Sequence, residues 1–131
     1  MNLSSLENAR TKVGILMDKT IIIVDDDDAV RDVLVRCLEP LDCSIESFHN
    51  GQEALTYLER KESQNVDLLI ADSRLPGISG EKLIEEFRKI HPAAPALIVS
   101  GEDVTGTDIP VIQKPFSLAE FRKRVEILLG E

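Results

Sequence analysis

The sequence predicts an α/β protein: a single domain on an open, five-stranded parallel sheet with helices packed on both faces. Three observations carry this. Short, β-branched apolar runs recur along the chain from residue 20 onward. They are continuous rather than alternating, as in strands buried on both faces. Between them lie stretches with apolar residues at helical spacing. Strand and helix in turn imply right-handed crossovers between parallel neighbours.

Thr20–Val24 (TIIIV) is the first strand. Val30, Val33, Leu34, Cys37 and Leu38 then form one stripe of an amphipathic helix, with Asp27 or Asp28 as N-cap and Pro40 as its stop. A weaker strand follows around Ser44–Phe48. Asn50 with Glu53 three residues on fits the start of a second helix carrying Ala54, Leu55 and Leu58. Val66–Ala71 (VDLLIA) is the third strand. A turn with Pro76, Gly77 and Gly80 leads to a helix with Leu83, Ile84, Phe87 and Ile90, ended before Pro92. Ala96–Val99 is the fourth strand. Ile109–Gln113 is a short fifth, with Pro110 near its start, where a missing N–H is tolerable. Ser117 and Glu120 form a capping box for the last helix, which carries Leu118, Phe121, Val125 and Leu128 on one face and stops at Gly130.

The alternation has one gap. Gly101–Asp108 (GEDVTGTD) holds two glycines and no apolar stripe, so it reads as a loop or one helical turn. Residues 1–18 read as an N-terminal extension or linker, and residues 19–131 as the folded domain.

Composition narrows the function. Acids outnumber bases, 24 to 15, for a net charge of −9. That argues against direct nucleic-acid binding and against an anionic membrane surface. No apolar run approaches the length of a spanning helix, and the N-terminus lacks a secretory h-region. A cytoplasmic location is expected. Cys37 and Cys43 match neither a disulfide framework nor a zinc site, and Cys37 falls on a core stripe. His49 and His91 are isolated, and Tyr57 sits at packing positions of the second helix.

In an open α/β sheet, ligands bind at the carboxyl ends of the strands. Asp25 and Asp26 follow the first strand, Asp72 the third, Ser100 the fourth and Lys114 the fifth. Three crowded carboxylates repel and raise one another's pKa. A hard divalent cation removes the conflict, and Mg²⁺ suits oxygen ligands of this kind. One carboxylate can then act as a nucleophile toward phosphorus. Lys114 and the Ser100 hydroxyl would stabilise the transferring oxygens, and Gly101 leaves room for the group to enter.

From Lys19 to the C-terminus the chain resembles the receiver domain of bacterial two-component response regulators, the CheY-like family. The matching motifs are Ile21–Asp27 (IIIVDDD), Asp67–Gly80 (DLLIADSRLPGISG), Ala96–Gly101 (ALIVSG) and Lys114-Pro115-Phe116. The resemblance implies a flavodoxin-like sheet of order 2-1-3-4-5. It implies that Asp72 is the phosphoacceptor and that Asp26 and, through water, Asp25 hold Mg²⁺. The Arg74 backbone carbonyl would be a further metal contact, with Ser100 and Lys114 around the phosphoryl group. The implied partner is a histidine kinase or phosphotransfer protein, and the implied output is contact with a downstream protein. The domain would be a signalling module and not an enzyme in the ordinary sense.

Two departures from the family pattern stand out. Ser100 and Lys114 are only 14 positions apart, so the fourth helix of the family is short or absent. Val111 stands where the family usually carries Tyr or Phe, three positions before the lysine. Phosphorylation chemistry is therefore expected intact while the usual readout is altered. Arg74 and Glu102, two residues after Asp72 and Ser100, are expected to meet across the crevice and gate water. Two other functions stay open. One is a pseudo-receiver that binds partners without phosphorylation. The other is a haloacid dehalogenase-type phosphatase with Asp25 as nucleophile, which would need a further acidic pair after Lys114.

Overall fold

The computed structural model describes residues 18–60 and 65–130. Residues 1–17 of the expected extension lie outside the described residues. The elements are β1 (Thr20–Val24), α1 (Asp28–Leu38), β2 (Ser44–Phe48), α2 (Gly51–Leu58), β3 (Leu68–Asp72), α3 (Gly80–Ile90), β4 (Ala96–Ser100), β5 (Val111–Gln113) and α4 (Leu118–Gly130). All strand pairings are parallel, and the order is β2-β1-β3-β4-β5, as the resemblance implies. No regular element lies between β4 and β5, so the fourth helix of the family is absent.

Local chemistry explains the helix starts. The Asp27 carboxylate accepts from the amides of Ala29 and Val30, Asn50 from that of Glu53, Ser79 from that of Lys82, and Ser117 from that of Glu120. Each bond satisfies an amide that the first helical turn leaves unpaired. Glu39–Leu41 forms a single 3₁₀ turn after α1, where Pro40 prevents the α-helix from continuing.

Strand residues alternate between two cores. Ile21, Ile23, Leu68, Ile70, Leu97, Val99 and Ile112 face α1 and α4, meeting Leu34, Leu38, Phe121 and Val125. Ile22, Val24, Leu69, Ala71, Ala96 and Ile98 face α2 and α3, meeting Ala54, Leu58, Leu83, Ile84 and Phe87. With the fourth helix missing, Val104, Ile109 and Val111 close that second core as partly buried residues. Cys37 is buried in the first core, and Tyr57 packs on Phe48 with ring centroids 5.4 Å apart. His91 caps α3 through its amide, and its ring lies 5.4 Å from that of Phe87.

β3 and β4 each run one residue further than expected, to Asp72 and Ser100, and two strands start later. β3 begins at Leu68 because Asp67 is used otherwise: its amide donates to the Thr20 carbonyl and its carboxylate accepts from the Thr20 amide. β5 begins at Val111, although the Pro110 carbonyl still accepts from the Ile98 amide. Proline offers no amide, so the ladder opens with its acceptor half alone.

Gly80 ties the start of α3 to the end of β3. A Cβ there would lie 2.1 Å from the Asp72 carbonyl oxygen and 3.1 Å from the Ser73 Cα. Replacing Gly80 by Ala must therefore push backbone apart, and denaturant unfolding should show a loss of about 1–3 kcal/mol.

Candidate functional site

The strand register builds the site. Val24 is level with Ala71, Asp72 with Val99, and Ser100 with Gln113. Asp25, Asp72, Ser100 and Lys114 therefore reach one edge of the sheet, the carboxyl edge, as the sequence indicated. Alternation divides them further. Asp72 shares the parity of Leu68 and Ile70 and points toward the face covered by α1 and α4. Ser100 shares the parity of Ala96 and Ile98 and belongs to the opposite face.

One oxygen from each of Asp25, Asp26 and Asp72 lies within 4.8 Å of the others. Asp25 is 1% exposed and Asp72 9%. One Asp25 oxygen accepts from the Asp27 amide at 2.9 Å, while the other, Oδ2, is buried with no hydrogen-bond partner. The Lys114 ammonium is 3.9 Å from that oxygen and 3.0 Å from Asp72 Oδ2. Asp72 Oδ1 accepts from the Arg74 amide at 2.8 Å. Ser100, fully buried, accepts from the Glu102 amide at 3.1 Å.

Burial is the largest influence on Asp25 and raises its carboxyl pKa from 3.8 to about 6. The Asp27 amide opposes this, Asp72 and Asp26 add to it by repulsion, and Lys114 offsets part. For Lys114, burial is the largest single influence and acts downward. Its hydrogen bond to Asp72 and its attraction to Asp72 and Asp25 together outweigh that and raise its pKa.

The donor set fits a hard cation. It offers three convergent carboxylates, one of them with a buried oxygen that has no hydrogen-bond partner among the described residues. Lys114 supplies one positive charge against three negative ones, and it stands at the rim, 31% exposed.

Arg74 and Glu102 do meet, as expected, and their side chains pair across the crevice. Sequence reasoning overlooked two residues. Arg31 donates to the Asp25 carbonyl at 2.8 Å and pairs with Asp28. Ser73 donates to Ser100 Oγ at 2.9 Å. The signal for Ser73 was its place directly after Asp72, readable only once β3 and β4 are aligned.

The comparisons with known proteins agree with this geometry. The response regulator receiver domain profile matches residues 21–126. The chain belongs to the response regulator receiver family. It is 33% identical to the sensor kinase CckA of Brucella abortus over 84% of this chain and 12% of that protein. It is 31% identical to the regulatory protein VanRc of Enterococcus gallinarum over 86% of this chain and 51% of that one. The chain thus spans about half or less of these two relatives. The crystal structure of the receiver domain from the hybrid histidine kinase CckA superposes with a TM-score of 0.74 at 33% identity, covering 84% of this chain and 98% of that one. A CheY-like receiver domain protein from Methanospirillum hungatei superposes with a TM-score of 0.77 at 26% identity, over 86% of this chain and 94% of that one. No described helix is long and apolar enough to cross a membrane.

The pKa of Asp25 sets a stability test for this receiver domain. Between pH 4 and 6, about the range from its ordinary pKa to its raised one, the unfolded chain has lost this proton and the folded chain keeps it. Rising pH therefore removes stability across that window, and above it the full penalty stands. Asp25→Asn should leave stability unchanged below about pH 4 and raise it by about 1–3 kcal/mol above pH 6 without divalent cations, measured by urea unfolding.

Proposed function

We propose that this receiver domain accepts a phosphoryl group on Asp72 from a histidine kinase or phosphotransfer protein and signals through protein contacts. The observation that carries the reading is the convergence of Asp25, Asp26 and Asp72 with Lys114 hydrogen-bonded to Asp72. In the transfer, the phosphorus–nitrogen bond of the donor breaks and a phosphorus–oxygen bond to Asp72 forms. Hydrolysis later returns the carboxylate and releases inorganic phosphate.

Each residue has a physical task. Asp25, Asp26, Asp72 and the Arg74 carbonyl would hold Mg²⁺. When bound, Mg²⁺ supplies positive charge that relieves carboxylate repulsion and stabilises the phosphoryl oxygens. The Arg74 amide fixes one Asp72 oxygen and leaves the carboxylate in a single orientation. Lys114, already on Asp72, follows the negative charge as it moves onto the phosphoryl group. Ser100 adds a hydroxyl donor from the neighbouring strand end. The exposed Arg74–Glu102 pair spans the entrance and hinders the water that ends the signal.

An apolar hollow of about 380 Å³ beside Lys114 supports a protein as the donor. Val30, Val33, Leu34, Phe116 and Leu118 line it, and Val33 and Leu118 are 44% and 45% exposed. The chain's net charge of −9 speaks against direct nucleic-acid contact.

Incubation with Mg²⁺ and acetyl phosphate, followed by intact-mass measurement, tests the assignment. Wild type should gain one phosphoryl group and Asp72→Asn none. No gain on wild type, even with a kinase present, would favour the pseudo-receiver. Phosphorylation on Asp25 would favour the phosphatase. Once labelled, the Arg74→Ala/Glu102→Ala variant should lose its phosphoryl group several-fold faster than wild type in a time course of intact mass.

A further inference from the structure

Ser100 Oγ has an unusual set of partners for a hydroxyl at a strand end. It is fully buried; its Oγ accepts from the Glu102 amide at 3.1 Å and shares a hydrogen bond with the Ser73 hydroxyl at 2.9 Å. A hydroxyl has two acceptor positions and one proton to give. With Ser73 as the donor of that pair, both acceptor positions are filled and the Ser100 proton is the one valence left to offer. Accepting also polarises the O–H bond and makes it a better donor.

Ser73 is firmly placed for this. Its amide donates to the Val99 carbonyl at 3.1 Å, which continues the β3–β4 ladder one step past Asp72. Its carbonyl accepts from the Gly80 amide at 3.3 Å, and Gly80 packs on the preceding Asp72–Ser73 peptide so closely that no Cβ would fit. By register Ser73 is level with Ser100, and by parity both belong to the face covered by α2 and α3. Asp72 belongs to the other face, so Ser100 approaches from across the strand end and depends on a fixed rotor to aim its proton. Val111, level with Ile98 on the adjacent strand, provides no hydroxyl or ring edge to do so.

We propose that Ser73 is a positioning residue: together with the Glu102 amide it holds the Ser100 hydroxyl as a donor toward the phosphoryl group arriving at Asp72. The inference rests on the assignment of Asp72 as phosphoacceptor. It adds a role for the residue next to that aspartate, exercised wholly through Ser100.

A double-mutant cycle on the described chemistry tests it, using acetyl phosphate and Mg²⁺ with the rate of Asp72 phosphorylation read by intact mass. Ser100→Ala should slow phosphorylation roughly a hundredfold, the scale for losing one donor to a transition-state oxygen. Ser73→Ala should slow it about tenfold, and Ser73→Thr, which keeps the hydroxyl, should restore most of the rate. In the Ser100→Ala background, Ser73→Ala should have no further effect. An equal fold-loss in both backgrounds, or a wild-type rate for Ser73→Ala, would overturn the positioning role while leaving the phosphoacceptor reading in place. Absence of labelling on wild type would overturn that reading and this inference with it.

Discussion

A buried carboxylate oxygen with no hydrogen-bond partner among the described residues is the constraint around which this receiver domain is arranged. Asp25 Oδ2 lies beneath the carboxyl edge of the sheet, close to two further carboxylates and 3.9 Å from the Lys114 ammonium. A solvated acid at that position would cost nothing, whereas a buried one holds its proton to about pH 6. The fold nevertheless fixes it there. Its other oxygen is held by the Asp27 amide and its carbonyl by Arg31. Asp72 is likewise pinned by the Arg74 amide, and its peptide is pressed against Gly80. Such rigidity around like charges makes sense for a site preorganised to receive positive charge, because no reorganisation is then needed when the charge arrives.

The same rigidity suggests how a signal could leave a domain that lacks the family's fourth helix. Asp72 and Lys114 stand on the α1–α4 side of the sheet edge, while Ser73 and Ser100 stand on the α2–α3 side. Under the proposed function, charge building up on Asp72 would be felt across the strand end by Ser100, whose Oγ accepts from the amide of Glu102 at the start of the irregular segment leading to β5. That segment is anchored to α3 by the Arg88–Asp108 pair, and β5 to α4 by the Arg124 guanidinium on the Val111 carbonyl. Displacement of Ser100 would therefore pull on a loop tied at both ends, in place of the helix and aromatic ring that typical relatives carry.

Much of this was legible in the sequence, for identifiable reasons. Thr20–Val24 and Ala96–Val99 are strands buried on both faces, and continuous apolar runs of that length leave few alternatives. Asp27, Asn50 and Ser117 cap helices because their side chains are suited to orphaned amides. Asp25, Asp72, Ser100 and Lys114 could be placed together because parallel strands end at one edge. The order of the strands came from family resemblance, since alternation alone does not fix it. Asp67 looked like strand and instead ties β3 to Thr20 through its side chain, a contact with a residue 47 positions away that no local pattern encodes. Ser73 was missed for a similar reason: its partner lies 27 positions on, and only the β3–β4 register brings them level.

As a cation site, the acidic cluster would require its buried member, Asp25, to give up a proton on binding. Calorimetric titration of the domain with Mg²⁺ in buffers of different ionisation enthalpy measures that proton directly. Saturable binding of one ion is predicted, with a substantial fraction of a proton released near pH 6 and close to none at pH 8, since Asp25 is already ionised there. Binding with no proton release at either pH, or no saturable binding at all, would contradict the account.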